Sequence, residues 1–183
     1  STPLGRTAGN ALEVAEALEV LAGGGPSGVV ELTVALAREM LQLVGLDDVD
    51  PAEVLARGDA LAVWDAMIRA QGGDPDAPIP LAGEIDTVRS PRSGVVGRLD
   101  AMAGGQAAWR LGAGRSRKED AVSPTAGVVW KATVGDHVNE GDVLFELHVD
   151  DESKLPSARA ALDGGWDILD GPVTRDPLVL ARI

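Results

Sequence analysis

Apolar residues recur at helical spacing through the first part of the chain and alternate at strand spacing through much of the rest. Ala11, Val14, Leu18 and Leu21 fall on one face of a helix predicted over 11–21, with Glu13, Glu16 and Glu19 on the other. Asn10 and Glu13 have the spacing of a capping box, and Gly23-Gly24-Gly25-Pro26 ends the helix. A second helix, predicted over 27–44, has only a narrow polar stripe of Glu31, Arg38, Glu39 and Gln42, so it is expected to be largely buried. Asp50, Pro51 and Glu53 supply the N-cap, first-turn proline and capping partner of a short helix to 57. Leu61, Trp64 and Ile68 mark the dry side of a fourth helix over 60–71, while residues 4–9, with two glycines, read as a loop.

Pro75, Pro78 and Pro80 can propagate neither a helix nor a central strand. They divide the chain into a helical segment (1–73), a linker (74–85) and a β-rich C-terminal module (86–183). Strands are predicted near 86–89, 95–100, 127–132 and 143–149, with closing strands at 166–169 and 178–183. A helix is predicted over 101–111 although Gly104-Gly105 weakens it, and Ser153 caps another over 155–162. The fold class that follows is α+β, with one or two helices inside the β-rich module.

One phrase occurs twice in that module, Ser90-Pro91-Arg92-Ser93-Gly94-Val95-Val96 and Ser123-Pro124-Thr125-Ala126-Gly127-Val128-Val129. Each reads as a turn feeding a strand. The second copy runs on through turn glycines at 135 and 141 to Phe145-Glu146-Leu147, which alternates dry and wet. This stretch resembles the hammerhead or barrel-sandwich module of biotinyl and lipoyl domains. Carrier members of that class present a lysine at the following hairpin, here His148-Val149-Asp150-Asp151-Glu152-Ser153, which has none. A stand-alone binding or carrier module, modified on Lys131 or Lys154, is the alternative function this resemblance raises.

Composition narrows the chemistry. The net charge of −13 in 183 residues argues against a nucleic-acid surface, which needs clustered cations. Cysteine is absent, and neither an eighteen-residue apolar run nor a leader is found, so no membrane partner and a cytoplasmic location are expected. Aromatic residues make up only 3%, which leaves Trp64, Trp109, Trp130 and Trp166 as the expected bulky anchors. Two histidines, His137 and His148, offer no zinc cluster, and the acidic runs at 47–50 and 150–152 read as solvated loop charge. The densest chemistry lies in Arg110-Leu111-Gly112-Ala113-Gly114-Arg115-Ser116-Arg117-Lys118. Gly112, Gly114, Arg115 and Lys118 are compatible with an anion-binding nest, in which case the loop itself would take phosphate, or with a kinked structural loop whose arginine ties elements together.

Pro3-Leu4-Gly5-Arg6-Thr7-Ala8-Gly9-Asn10-Ala11-Leu12-Glu13-Val14, then Leu111-Gly112-Ala113-Gly114-Arg115 with Lys118, then Gly135-Asp136, occur in the order and spacing of one family. They resemble the C-terminal half of thymidine and pyrimidine-nucleoside phosphorylases, pentosyltransferases of nucleoside salvage. The resemblance implies phosphorolysis of thymidine to thymine and 2-deoxyribose 1-phosphate, with phosphate and a pyrimidine nucleoside as ligands and a homodimeric full-length enzyme. It also implies that the phosphate loop and the residues gripping the base lie upstream of Ser1. The chain is therefore expected to be a C-terminal fragment with no catalytic residue, inactive without its missing N-terminal half. No cofactor is implied beyond a monovalent cation, potassium, held in some members at positions that correspond to Leu4, Thr7 and Glu16. Leu4 and Thr7 would contribute backbone carbonyls, and Thr7 is often alanine in the family.

Overall fold

Val128, Leu147 and Val149 are wholly buried, and the strands that carry them define the larger of two units in the chain. The computed structural model describes residues 2–175, 177–179 and 181. In chain order the elements are β1 (Thr7–Gly9), α1 (Ala11–Leu21), α2 (Ser27–Leu43), α3 (Pro51–Ala56), α4 (Asp59–Ala70), β2 (Glu84–Arg89), β3 (Gly94–Leu99), α5 (Ala101–Ala108), β4 (Gly127–Trp130), β5 (His137–Val138), β6 (Val143–Val149), α6 (Leu155–Leu162) and β7 (Trp166–Leu169). A wide π-type turn, Trp109–Ala113, follows α5, and a 3-10 turn, Glu152–Lys154, leads into α6. Residues 1–13 group with 80–176, and 14–79 with 177–183.

The first unit is α+β, with two antiparallel sheets. Four strands lie in the order β1-β4-β6-β2 and three in the order β5-β3-β7. The repeated phrase is split between them: Gly94 opens β3 in one sheet and Gly127 opens β4 in the other. An aromatic chain runs from sheet to sheet. Trp130 meets Phe145 edge to face at 6.4 Å between centroids, and Phe145 meets Trp166 of the three-stranded sheet at 6.2 Å. Phe145 is the only phenylalanine in the chain and is 2% exposed. Its truncation to alanine is expected to cost about 3–5 kcal/mol. Leu99, Ala107, Leu111, Ala158 and Leu162 close this core.

The second unit is helical, with a small core of Val20, Val34 and Leu55. Asp50 caps α3 by accepting from Ala52 N–H at 3.0 Å and pairs with Arg38 at the same distance.

Several expectations change. Residues 7–9 are a strand, because the open edge of β4 supplies hydrogen-bonding partners that a local reading cannot see. The helix expected over 101–111 stops at Ala108, where Gly112 (φ 113°) permits the π-type turn. The narrow stripe of α2 does not translate into burial. Val34 alone is buried there, while Leu36, Met40 and Leu43 are 55, 62 and 85% exposed, since the helical cluster encloses only three residues. On α1, Val14 is exposed and Val20 is buried. Of the tryptophans only Trp130 is fully buried, and Trp109 is 37% exposed. Asp151 rather than Ser153 starts the turn into α6. The strand expected over 178–183 falls on a stretch where 180, 182 and 183 lie outside the described residues, and 178, 179 and 181 are irregular.

Candidate functional site

Two of the three family motifs, those around Asn10 and around Gly112, converge on a knot of loops in the β-rich unit, while Gly135-Asp136 bonds to Val96 and Thr133 instead. Asn10, at the head of α1, donates its Nδ2 to the carbonyls of Ala113 (2.9 Å) and Ser123 (3.1 Å), and Ala11 N–H donates to Pro124 C=O at 2.9 Å. The capping box expected of Asn10 and Glu13 is displaced: Glu13 accepts from Gly9 N–H at 3.1 Å, one residue before the expected cap. Ser123 N–H donates to Gly112 C=O at 2.8 Å, so the π-type turn and the second repeat are bonded to each other. Asp150 sits beneath. Its Oδ2 accepts from the hydroxyls of Ser123 (2.6 Å) and Thr125 (2.5 Å), and its Oδ1 from Gly83 N–H (3.2 Å). These bonds, led by the Ser123 hydroxyl and joined by the nearby Lys154 ammonium, hold the Asp150 carboxyl below the ordinary carboxylate value. The run Asp150-Asp151-Glu152, read as solvated charge, is instead a junction. Neither Ser123 nor Thr125 stood out in the sequence; the Ser-Pro-Thr of the repeat was the signal available.

Gly112, Gly114, Arg115 and Lys118 all lie in or beside the π-type turn. A methyl on Gly112 would meet Lys154 Nζ at 2.8 Å, and one on Gly114 would meet Trp109 Cδ1 at 2.8 Å. Arg115 donates to the Lys118 carbonyl at 3.3 Å and closes the loop on itself. The backbone N–H groups of Ser116 and Arg117 both go to Asp120 Oδ2, at 3.1 and 2.9 Å. The backbone cradle is thus filled by the chain's own carboxylate, and what remains to face outward is side-chain charge.

For the cation positions, the structure sets Leu4 and Thr7 in the β-rich unit and Glu16 on the part of α1 assigned to the helical unit. Trp130 N–H donates to Arg6 C=O at 2.8 Å, so Arg6 and Trp130 form a hydrogen-bonded pair. Such pairs alternate in an antiparallel ladder, which makes Thr7 and Val129 a non-bonded pair and turns the Thr7 carbonyl away from β4, on the outer edge of the sheet. Thr7 Oγ1 is buried without a hydrogen-bond partner among the described residues.

His148, read as an ordinary histidine, is 8% exposed on β6. Its Nε2 is buried with no hydrogen-bond partner among the described residues, 3.6 Å from Glu146, which in turn pairs with Lys131 at 3.1 Å.

Residues 95–169 match the pyrimidine nucleoside phosphorylase C-terminal domain. Over 181 residues, 99% of the chain, it is 51% identical to the thymidine phosphorylase of Mycobacterium tuberculosis (strain CDC 1551 / Oshkosh), covering 42% of that protein. It is 38% identical over 164 residues to the pyrimidine-nucleoside phosphorylases of Staphylococcus haemolyticus and Bacillus subtilis, covering 84% of the chain and 38% of each. The chain therefore spans less than half the length of these relatives. It belongs to the thymidine and pyrimidine-nucleoside phosphorylase family, whose C-terminal domain it carries.

Proposed function

We propose that the chain is the scaffold portion of a pyrimidine-nucleoside phosphorylase. In the complete enzyme a phosphate oxygen attacks the anomeric carbon of a pyrimidine deoxynucleoside. The glycosidic bond breaks, its electrons leave with the base, and the products are free base and 2-deoxyribose 1-phosphate. The observation that carries this reading is the continuous 51% identity to a thymidine phosphorylase along 99% of the chain. The groups that hold phosphate and base belong to the part of the relatives outside this chain, and its own contribution is positional. The knot of Asn10, Ser123 and Asp150 fixes the Pro-Leu-Gly segment against the C-terminal domain.

On the same reading the first unit is a barrel-sandwich of the hammerhead kind, residues 1–73 are the helical segment of the parent's α/β domain, and 74–85 are the linker. The full-length enzyme is a cytoplasmic homodimer. Leu4 and Thr7 carbonyls with Glu16 would hold a monovalent cation that neutralises local charge. Support for this comes from the outward turn of the Thr7 carbonyl and its unpartnered Oγ1. Neither lysine named by the carrier alternative stands clear of other groups. Lys131 is paired with Glu146, and Lys154 lies against Gly112 beside Asp150.

The test is thymine release from thymidine in phosphate buffer. The complete reading-frame product is expected to turn over and the purified 183-residue chain to be inactive. Activity in the chain alone would overturn the scaffold reading, and inactivity of the complete product would overturn the phosphorylase reading.

A further inference from the structure

The chain carries a net charge of −13, and among the described residues at least eight of its 16 lysines and arginines pair with carboxylates, among them Arg38 with Asp50, Arg159 with Asp86 and Arg175 with Asp136. The loop after α5 gathers four that do not. Arg110, Arg115, Arg117 and Lys118 are all exposed, and among the described residues none has a carboxylate at ion-pairing distance. Their arrangement is fixed from within. Arg110 lies over the Trp109 ring at 4.6 Å from its centroid, and a Cβ on Gly114 would meet the edge of that indole, 2.8 Å from Cδ1. Arg115 closes the loop through the Lys118 carbonyl, and Asp120 takes the two backbone amides. Nothing in this closure uses the side chains of Arg117 or Lys118. They are left as paid-for positive charge on a shaped loop, next to a guanidinium already oriented by stacking.

We propose that this loop, through Arg110, Arg117 and Lys118, is a docking surface for a phosphate dianion. Two arguments set the ligand class. A dianion gains from several separate cations at once, and arginine and lysine together favour phosphate oxygens. On a surface whose overall field repels anions, a loop that sets four cations against the two carboxylates of Glu119 and Asp120 is where a small dianion accumulates. The ligand is therefore the phosphate group itself, free or as a sugar monoester. The biological meaning, a surface gathering the anions of phosphorolysis, rests on the phosphorylase reading, whereas the binding does not.

The experiment uses the 15N-labelled 183-residue chain at about 0.01 M ionic strength, where the Debye length is ~30 Å. It is titrated separately with inorganic phosphate, with 2-deoxyribose 1-phosphate, and with sodium chloride at matched ionic strength. Saturable shifts are expected at the amides of 115–118 and the Trp109 indole, with a half-point of roughly 1 mM. The double variant Arg117→Ala/Lys118→Ala is expected to bind about tenfold more weakly while its remaining spectrum is unchanged, since neither side chain closes the loop. Saturation by inorganic phosphate alone identifies the free anion as the ligand, and saturation by both identifies the phosphate group. Shifts that fail to saturate, that chloride reproduces, or that survive in the double variant overturn the proposal. No turnover is measured, so this failure stands apart from failure of the thymine-release assay.

Discussion

The ring of Trp130 lies directly against Gly104: a methyl built on that glycine would sit 2.0 Å from Cζ2 and 2.6 Å from Cη2. In the sequence, the Gly104-Gly105 pair only weakens a helix. In the structure it divides into two residues with opposite meanings, because Gly105 meets nothing within 4 Å. Gly105→Ala is expected to raise stability by about 0.5–1 kcal/mol through helix propensity. Gly104→Ala gains the same propensity but must move a buried indole, and overpacking of about 1–3 kcal/mol outweighs it. Urea denaturation of the two variants checks the pair. Equal stabilisation by both would mean that the indole has room to move.

Asp150 is the acceptor on which the loop knot depends. Asp150→Ala is expected to cost about 1–2 kcal/mol, at the lower end for hydrogen bonds to a charged acceptor because the site is open to water. The pH dependence has a definite sign. The folded carboxyl is held below the unfolded value of 3.8. Its contribution is therefore complete above that value and is lost as pH falls through the lower folded pKa. The stability gap between the wild type and Asp150→Asn should be constant near neutrality and close on acidification below about pH 3.8. A gap that widened in acid would contradict this role.

Gly112 holds φ at 113°, a conformation that side chains with a Cβ rarely adopt. Gly112→Ala is expected to cost about 1–3 kcal/mol, mostly in backbone strain, since the nearest neighbour, Lys154 Nζ, is the end of a flexible chain. Thermal unfolding reads the loss. The same spectrum should show the amides of 109–126 displaced, because Gly112 C=O receives Ser123 N–H.

The buried Nε2 of His148 has no hydrogen-bond partner among the described residues. Replacing a group in that state by an apolar one removes a desolvation cost without breaking a bond, so His148→Leu is expected to stay within about 1 kcal/mol of the wild type. Denaturant unfolding checks it. A loss of several kcal/mol would show that the ring is held by an interaction absent from its present contacts.

The elements that rest on near-neighbour pattern were legible in the sequence. The spans of α1, α6, β6 and β7 follow from periodicity and turn residues, and the strands of the repeat each open at their glycine. The order of the phosphorylase motifs identified the family before any coordinate was needed. What periodicity could not carry was the identity of the covering partner. The stripe of α2 is as apolar as that of a buried helix, yet Leu43 stands exposed.

The sequence by itself determined where the helices and most of the strands lie and which enzymes the chain resembles, because those signals act between residues a few positions apart or along a linear motif. Only the tertiary structure decided that Thr7–Gly9 is a strand, that α5 ends in a π-type turn, that Gly104 makes room for Trp130 and that Asp150 joins the loops. Each of these depends on groups brought together across the chain, as with Asn10 and Ser123, 113 positions apart. Hydrogen bonds and van der Waals contacts of that range exist only once the two sheets have closed on their core.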